Sequence, residues 1–328
     1  MKIVITGGGG FLGNQLARAI AGRPALTSAC GEPQPVDSLL LFDQTFSTAA
    51  RDGLAGRAEF ITGDIADRDQ VFSVIDRDDI GVFHLASIVS GDGERDFDRC
   101  LAVNLDGGRH VFEACRSRAS TPRLVFASSL AAFGGDAMPP TVSDSTKPNP
   151  ETTYGMTKFI GELMINDYSR RGFLDGRAAR LPTVFIRPGK ANAAASSFAS
   201  GMFREPLNGK VHGLPVGRDQ KVPLLGYRSV VRGLLQLYEA PPEKLGTDRT
   251  FNLPSTTYKV SDMIAALERV AARHGLGLGP IIDRPDPEIQ RIVTSWPTVT
   301  DSERAEALGL SGDASLEEVI DGYIEDFL

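Results

Sequence analysis

Residues 2–20, KIVITGGGGFLGNQLARAI, combine a short apolar run, five glycines and the start of an amphipathic stretch. Gly7, Gly10 and Gly13 follow the spacing G-x-x-G-x-x-G. In a dinucleotide-binding loop the first glycine makes a tight turn, the second lets the backbone approach a pyrophosphate, and the third allows a helix to pack closely on a strand. The helix N-terminus then faces the anion. Because the motif lies between a strand and a helix, it predicts dinucleotide binding rather than a merely flexible turn.

The second predicted strand ends in an acid. Asp43 closes LLLFD at residues 39–43 and lies 30 residues beyond Gly13. This exceeds the usual spacing of about 20, and residues 22–35 look like a loop insertion that explains the excess. A carboxylate here accepts a hydrogen bond from the adenosine ribose and repels a 2′-phosphate, which favours NAD over NADP; the alternative is a strand-end cap. Asp64 either meets the adenine edge or is an exposed turn acid.

Short apolar runs alternate with longer helical stretches through the first half of the chain. The runs are continuously apolar, as expected of strands that are covered on both faces. The alternation predicts an α/β fold with a Rossmann-type doubly wound parallel sheet. The predicted strands are KIVIT (2–6), LLLF (39–42), AEFI (58–61), VFHLA (82–86), LVFAS (124–128) and TVFIR (183–187), and the predicted helices lie near 11–21, 69–77, 96–117 and 154–171.

The pattern changes after residue 188. Residues 189–201 are rich in small residues without a clear period, whereas a helix near 228–239 and TFNLP at 250–254 could rejoin the sheet. We therefore predict a smaller C-terminal substrate lobe beside the nucleotide-binding domain. The predicted division is an NAD-binding Rossmann domain of residues 1–187 plus about 222–256, and a substrate-binding lobe of residues 188–221 plus 257–328.

Composition limits the classes of partner. The 328 residues carry a formal net charge of −7, which gives no electrostatic footprint for nucleic acid or an anionic membrane. Three cysteines without a C-x-x-C pair and four scattered histidines predict neither a disulfide framework nor a metal site. No apolar run reaches about 18 residues, and the first strand begins at residue 2. We expect a cytoplasmic protein whose partners are small molecules or a second copy.

Several segments occur in the order typical of one enzyme family. They are TGGGGFLG (6–13), HLAS (84–87), FASSLAAFGG (126–135), YGMTK (154–158) and RPG (187–189). Over roughly its first 190 residues the chain resembles the extended short-chain dehydrogenase/reductases, also called the NAD-dependent epimerase/dehydratase family. The resemblance implies NAD as cofactor, with contacts from Gly7, Gly10, Phe11, Leu12, Gly13, Asp43, Asp64, Ile65, Leu85, Ala86, Ser87, Asn104, Tyr154, Lys158 and Pro188.

Tyr154 and Lys158 are spaced to be neighbours on one helix face. Seen alone, such a pair is more often a chance surface contact, but in the family a serine, a tyrosine and a lysine form the catalytic site. The S-x-x-x-x-G pattern places the serine at Ser129, with Ser128 as the alternative. His84 is interpreted as a strand-end residue beside the cofactor rather than a base.

The tyrosine would act as the base. A phenol with a pKa near 10 is a poor base at neutral pH. An ammonium at about 4 Å, with an effective dielectric constant near 20, favours the phenolate by roughly 4 kcal/mol, or about three pK units. Tyr154 could then take the proton of a substrate alcohol while hydride leaves the same carbon for nicotinamide C4. Lys158 would also hold the nicotinamide ribose, and Ser129 would orient the alcohol oxygen.

Departures from the family patterns narrow the chemistry. Ser129 is followed by Leu130 and Ala131, not by the acidic residues that dehydratases of the family carry, so water elimination is not expected. Epimerases usually continue R-x-x-N after the sixth strand, and here RPGK puts Lys190 at the position of the amide. A lysine there would suit a carboxylate rather than a neutral sugar ring. The alternative is a solvent-facing loop residue.

Residues 180–210 resemble the corresponding segment of a bacterial subgroup, the D-erythronate dehydrogenases, which oxidise the 2-hydroxyl of a four-carbon sugar acid to a 2-keto acid with NAD. The hypothesis that follows is a sugar-acid substrate held by Ser90, Ser129, Tyr154, Lys190 and Asn192. Two alternatives stay open: a nucleotide-sugar 4-epimerase and a non-catalytic NAD-binding scaffold. In the family, helices equivalent to 96–117 and 154–171 commonly pair across a dimer axis, which predicts a homodimer; packing within one chain is the alternative.

Overall fold

The computed structural model describes residues 1–189 and 194–328. Its strands are β1 (Lys2–Thr6), β2 (Leu26–Thr27), β3 (Pro33–Gln34), β4 (Ser38–Asp43), β5 (Glu59–Thr62), β6 (Ile80–His84), β7 (Arg123–Ser129), β8 (Thr141–Val142), β9 (Asp175–Leu181), β10 (Thr183–Phe185), β11 (His212–Leu214), β12 (Lys221–Gly226), β13 (Thr250–Asn252), β14 (Thr256–Lys259), β15 (Ile281–Asp283) and β16 (Val299–Thr300).

The α-helices are α1 (Phe11–Ala21), α2 (Thr48–Asp52), α3 (Arg68–Val74), α4 (Ser90–Arg95), α5 (Phe97–Cys100), α6 (Gly107–Arg116), α7 (Thr153–Arg170), α8 (Ser197–Leu207), α9 (Tyr227–Glu239), α10 (Val260–His274), α11 (Pro287–Thr294), α12 (Glu303–Ala307) and α13 (Leu316–Phe327). A π-helical segment, Leu101–Asp106, joins α5 to α6, and 3₁₀ turns span Leu130–Ala132 and Pro242–Lys244. No helix in these described ranges is both long and apolar enough to cross a bilayer.

The main sheet has seven strands in the order β13-β9-β7-β6-β1-β4-β5, and all neighbours run parallel. From β1 the chain first adds β4 and β5 on one side of the sheet, and then adds β6, β7, β9 and β13 on the other side. The order of strands therefore reverses between β1 and β6, and a crevice opens beyond their carboxyl ends. The glycine loop follows β1 at this crevice. This arrangement confirms the predicted doubly wound Rossmann-type fold.

Both faces of the main sheet are covered, which explains the continuously apolar strands. Ile3 and Ile5 pack on one side with Leu16 of α1 and Leu234 of α9. Val4 packs on the other side in a separate cluster that includes residues of α3 and α6. Burial of each such aliphatic side chain contributes about 1.5–3 kcal/mol to the stability of the fold. The sheet is therefore a stable support for the loops at its carboxyl edge.

A second, smaller sheet has the order β10-β12-β14 and packs with α8, α10 and α13 in its own core cluster. The short strand β16 pairs with β8, which brings the segment after α11 next to the loop that follows β7. The predicted division of the chain into an NAD-binding domain and a substrate lobe stays a prediction.

The sixth strand of the main sheet differs from the sequence prediction. TVFIR at 183–187 was expected there, but β9 occupies the position, and β10 belongs to the smaller sheet. Strand β9 was missed because it carries two arginines, which are buried but well paired. Arg177 donates to the carbonyls of Leu237 and Ala240, each at 2.8 Å. The expected return of TFNLP to the sheet is confirmed by β13, which pairs with β9.

Three local expectations need adjustment. The helix predicted at 96–117 is interrupted by the π-helical segment. The insertion at 22–35 forms a small hairpin of β2 and β3 rather than a plain loop. The region without a clear period contains helix α8, which is buried on most of its surface and therefore has no polar stripe to reveal it.

Candidate active site

The first and last glycines of the loop are packed closely against backbone. Gly7 has a φ of 75°, and a Cβ added to it would lie 2.6 Å from the amide nitrogen of Ala86. A Cβ on Gly13 would lie 2.2 Å from the carbonyl oxygen of Gly7. Gly10 is the N-cap of α1 and supplies no side-chain cap. The first amides of α1 are therefore approachable by an anion, as a pyrophosphate requires.

Asp43 lies at the carboxyl end of β4, close to the glycine loop. Its carboxylate accepts hydrogen bonds from the amides of Gly9 at 2.9 Å and Gln44 at 2.7 Å. It borders a cavity of about 510 Å³, here called the Asp43 cavity. The predicted cofactor residues that line this cavity are Gly7, Gly10, Asp43, Ile65, Leu85, Ala86 and Ser87.

A second cavity of about 300 Å³, the Tyr154 cavity, lies next to the first. The two share Gly7, Gly10, Leu85, Ser87 and Val89 in their linings. The predicted cofactor and substrate residues that line the Tyr154 cavity are Gly7, Gly10, Phe11, Leu12, Gly13, Leu85, Ser87, Ser90, Ser129, Tyr154 and Lys158. An elongated ligand with its phosphates at the glycine loop could place one end in each cavity, so the described residues fit a dinucleotide.

Three predicted cofactor residues lie outside both linings. The carboxylate of Asp64 accepts from the amide of Ala66 at 2.9 Å and so closes a turn. The buried amide of Asn104 accepts from the Ile88 nitrogen at 2.8 Å and donates to the Ile88 oxygen at 3.1 Å, so it supports the loop that borders the cavities. Pro188 is not among the described lining residues of either cavity.

The structure separates the two candidate serines. Ser128 is buried and donates its hydroxyl to Glu162. Glu162 in turn accepts from Arg180 at 2.9 Å and 2.7 Å. Ser129 instead accepts from the amide of Ala131 at 3.1 Å, and its hydroxyl lies close enough to the Tyr154 phenol to lower the pKa of that phenol, against the larger effect of burial. Ser129 is therefore the hydroxyl beside the phenol, and Ser128 ties β7 to the buried ion pair.

Helix α7 carries Tyr154 and Lys158 into the cavity. Thr152 caps this helix by accepting from the amide of Gly155 at 3.0 Å. The Lys158 side chain is buried, and its Nζ donates to the carbonyl of Ala127 at 2.8 Å. The same Nζ lies 5.5 Å from the centroid of the Tyr154 ring. Backbone of β7 thus fixes the lysine beside the tyrosine.

Burial controls the protonation of both groups. It lowers the pKa of Lys158 to about 7. It raises the pKa of Tyr154 above its ordinary value, against the opposing effects of the Ser129 hydroxyl and the Arg187 guanidinium. The sequence predicted that the ammonium would shift the pKa of Tyr154 downward, and the shift found here is upward. Helical spacing gives adjacency, but it does not reveal how far both groups are desolvated.

His84 does not act as a base in this arrangement. Its ring is fully buried, and Nδ1 lies 2.7 Å from the hydroxyl of Thr6. Burial lowers the pKa of His84 to about 3, so the ring is neutral at physiological pH. The sequence interpretation as a strand-end residue agrees with this position at the end of β6.

The true sixth strand changes the register of the R-x-x-N comparison. Because β9 ends at residue 181, the arginine of that pattern is Arg180, and its fourth position is Thr183 rather than Lys190. Thr183 is buried and lines the Tyr154 cavity. Lys190 and Asn192 lie outside the described residues.

Sequence reasoning missed the residues that line the Tyr154 cavity from later parts of the chain, and four of them matter most for the chemistry. They are Thr183, Arg187, Pro223 and Trp296. The pairing of β16 with β8 is one of the long-range contacts that bring the tryptophan segment to this site, and no local sequence pattern predicts it. The RPG segment was noticed, but its arginine was not assigned a role.

The chain is similar to known proteins over its whole length. The model of the family described as "NAD dependent epimerase/dehydratase family" matches residues 3–253. A D-erythronate dehydrogenase from Cupriavidus necator is 44% identical over 99% of this chain and 98% of its own. A D-erythronate dehydrogenase from Haemophilus influenzae is 37% identical over 99% of both. The crystal structure of a nucleoside-diphosphate-sugar epimerase from Agrobacterium tumefaciens has a TM-score of 0.88 and 36% identity, and covers 100% of this chain and 94% of that one.

Proposed function

The chain belongs to the NAD dependent epimerase/dehydratase family, and from that membership we propose that it oxidises the 2-hydroxyl of D-erythronate to give 2-keto-D-erythronate. It is an NAD-dependent oxidoreductase, which agrees with the dinucleotide fit of the two cavities. One observation supports an acidic substrate above all. The described lining of the Tyr154 cavity contains two basic side chains, Lys158 and Arg187, and no carboxylate. Two full-length relatives that are D-erythronate dehydrogenases support the particular acid.

The cofactor's place follows from the loop and the two cavities. The glycine loop would hold the pyrophosphate, and Asp43 would accept from the adenosine ribose. When bound, oxidised NAD supplies the acceptor for the hydride that leaves C2 of the acid. The amine of Lys158 would meet the ribose hydroxyls at the other end.

The chain's own residues would handle the proton. Ser129 donates a hydrogen bond to the 2-hydroxyl oxygen of the acid, which positions it beside Tyr154. Tyr154 takes the hydroxyl proton as the carbonyl forms. Because burial raises the pKa of this phenol, the nearby positive charges of Lys158 and Arg187 are needed to favour the phenolate during the reaction.

A screen of four- to six-carbon aldonates with NAD tests the function. We expect D-erythronate to produce NADH, detected by its absorbance, and NADP to be a poorer acceptor because of Asp43. The similarity to a nucleoside-diphosphate-sugar epimerase makes nucleotide sugars the necessary comparison, since an epimerase releases no net NADH. Epimerisation of a nucleotide sugar without turnover of any aldonate would replace the proposal with the epimerase alternative. A chain that binds NAD and turns over neither would be a scaffold.

We also propose that the protein is a cytoplasmic homodimer that pairs through α5 and α7. Each helix exposes a large apolar side chain: Phe97 is 54% exposed and Leu163 is 53% exposed. In a symmetric dimer each interface residue occurs twice, so one charged substitution introduces two charges into the interface. Leu163→Arg is therefore expected to convert a dimer to a monomer in sedimentation experiments.

The matched control for this variant is Val211→Arg. Val211 has the same exposed fraction, 53%, but it lies between α8 and β11, away from the proposed interface. It should leave the dimer intact. A monomeric wild type, or a Leu163→Arg variant that stays dimeric, would contradict the proposed pairing.

A further inference from the structure

The charged groups of the Tyr154 cavity have different surroundings. Lys158 lies on the side of the main sheet, and its Nζ already donates to the carbonyl of Ala127 at 2.8 Å. Arg187 follows β10 and lines the cavity from the side of the smaller sheet. A substrate in this cavity would therefore be within reach of a basic group from each side, Lys158 on α7 and Arg187 after β10.

Helix α8 fixes the backbone from which the Arg187 side chain extends. The Arg187 amide donates to the hydroxyl of Ser200 at 3.2 Å. The Arg187 carbonyl accepts from Nη1 of Arg204 at 3.0 Å. Arg204 is itself paired with Glu205 at 2.6 Å. These contacts hold the backbone of Arg187 in a fixed position, and a binding side chain requires such a rigid support.

Arg187 and Tyr154 also shift each other's pKa through electrostatic interaction. The guanidinium lowers the pKa of Tyr154, and Tyr154 in turn raises the pKa of Arg187 against the dominant effect of burial. Such coupling needs proximity. In a 2-hydroxy acid the carboxylate is bonded directly to the carbon that bears the reacting hydroxyl. A group that binds this carboxylate must therefore lie close to the base, and Arg187 meets that condition.

The remaining walls around Arg187 are largely apolar. Val184, Pro223, Trp296 and Pro297 line the same cavity. Apolar walls reduce the local dielectric response and strengthen an ion pair between a guanidinium and a carboxylate. The planar guanidinium also matches a carboxylate with two parallel hydrogen bonds.

We propose that Arg187 is the carboxylate-binding residue of the substrate site, and that the site is built for 2-hydroxy carboxylates with the carboxylate on Arg187 and the hydroxyl on Tyr154. This inference rests on the proposed function and specifies its substrate class. It assigns to Arg187 the role that the sequence comparison had given to Lys190.

Arg187→Met and Arg187→Lys test the assignment, with Arg218→Met as the matched control. Arg218 is a half-exposed arginine of the same part of the chain that pairs with Asp283 at 3.1 Å and does not line the cavity. We expect Arg187→Met to raise KM for D-erythronate by about 10- to 100-fold, with Arg187→Lys intermediate and Arg218→Met unchanged.

A neutral substrate isolates the charge. D-erythronamide has the same carbon skeleton without the carboxylate, so the wild type should prefer the acid and Arg187→Met should lose most of that preference. Affinity for NADH, followed by the fluorescence of Trp296, the sole tryptophan, should be unchanged in each variant. Retained NADH binding shows that each variant is folded.

The outcomes distinguish this inference from the proposed function. If the wild type oxidises aldonates but Arg187→Met keeps both the wild-type KM and the preference for the acid over the amide, the assignment of Arg187 is wrong and the function stands. If the wild type oxidises no aldonate, the proposed function fails, and the inference fails with it.

Discussion

Tyr154→Phe is expected to lower kcat for D-erythronate by about 10²- to 10⁴-fold, the range for removal of a general base. The phenol lines the cavity together with Ser129 and Arg187, and both of these groups lower its pKa against the larger effect of burial. Phenylalanine retains the ring and removes only the oxygen, so binding of NADH should persist. The measurement is steady-state kinetics with NADH detection, together with the fluorescence of Trp296 for cofactor affinity.

Tyr168→Phe is the matched control for this variant. Tyr168 lies on the same helix, α7, but its hydroxyl donates to Glu113, and it is not among the described residues that line the Tyr154 cavity. It should retain kcat within a small factor. If Tyr154→Phe also kept kcat within tenfold, a different group would have to accept the proton, and the proposed mechanism would be wrong.

The features of the fold that could be predicted depend on local patterns. The glycine loop, the strand before it and the helix after it are contiguous, so one stretch of sequence predicted the strand–loop–helix unit that the structure places at the crevice between β1 and β6. Strand β9 failed this approach because its buried arginines find partners on other elements. Arg177 donates to the carbonyls of Leu237 and Ala240, and Arg180 pairs with Glu162. Burial of a paired charge cannot be recognised from neighbouring residues.

In the candidate site, too, local patterns predicted some features, whereas others depend on contacts between distant parts of the chain. Tyr154 and Lys158 are one helical turn apart, so their adjacency follows from spacing. Thr183 and Arg187 could be placed only once β9 had replaced residues 183–187 in the main sheet. Trp296 reaches the cavity through the pairing of β16 with β8, which joins segments more than a hundred residues apart.

Spacing also failed to predict the protonation of the pair. An estimate from distance alone treats the ammonium as charged and partly solvated. In the structure Lys158 is 3% exposed, and burial lowers its pKa to about 7. The same desolvation that makes the amine titrate near neutral pH must weaken the folded state, because the amine is charged in the unfolded chain.

Lys158→Met is therefore expected to lower activity while removing a pH-dependent weakness of the fold. Below pH 7 the amine is protonated in both states, and the folded wild type bears the full cost of burying it. Above pH 7 the folded state releases the proton while the unfolded state keeps it up to a pKa of about 10.4. The free energy of unfolding of the wild type should thus rise with pH across this interval.

The expected size follows from the same linkage. Between pH 7 and pH 9, the wild type should gain on the order of 2 kcal/mol of stability relative to Lys158→Met. The variant also leaves the carbonyl of Ala127 without its partner, at a cost of about 1–3 kcal/mol. That cost does not depend on pH, so the informative quantity is the change in the difference, not its value at one pH.

Chemical denaturation of the cofactor-free protein at several pH values measures this change. Bound cofactor is left out because it would stabilise each protein by its own affinity. The series stops at pH 9. Burial raises the pKa of Cys100 and of Tyr154, so the ionisation of these two groups at higher pH would add a pH dependence that does not come from Lys158. Lys210→Met, which removes an exposed lysine, controls for the loss of one positive charge. If the free energy of unfolding changed with pH in parallel for Lys158→Met and the wild type, the amine would not be desolvated. The need for a second cation at Arg187 to favour the phenolate would then lose its physical basis.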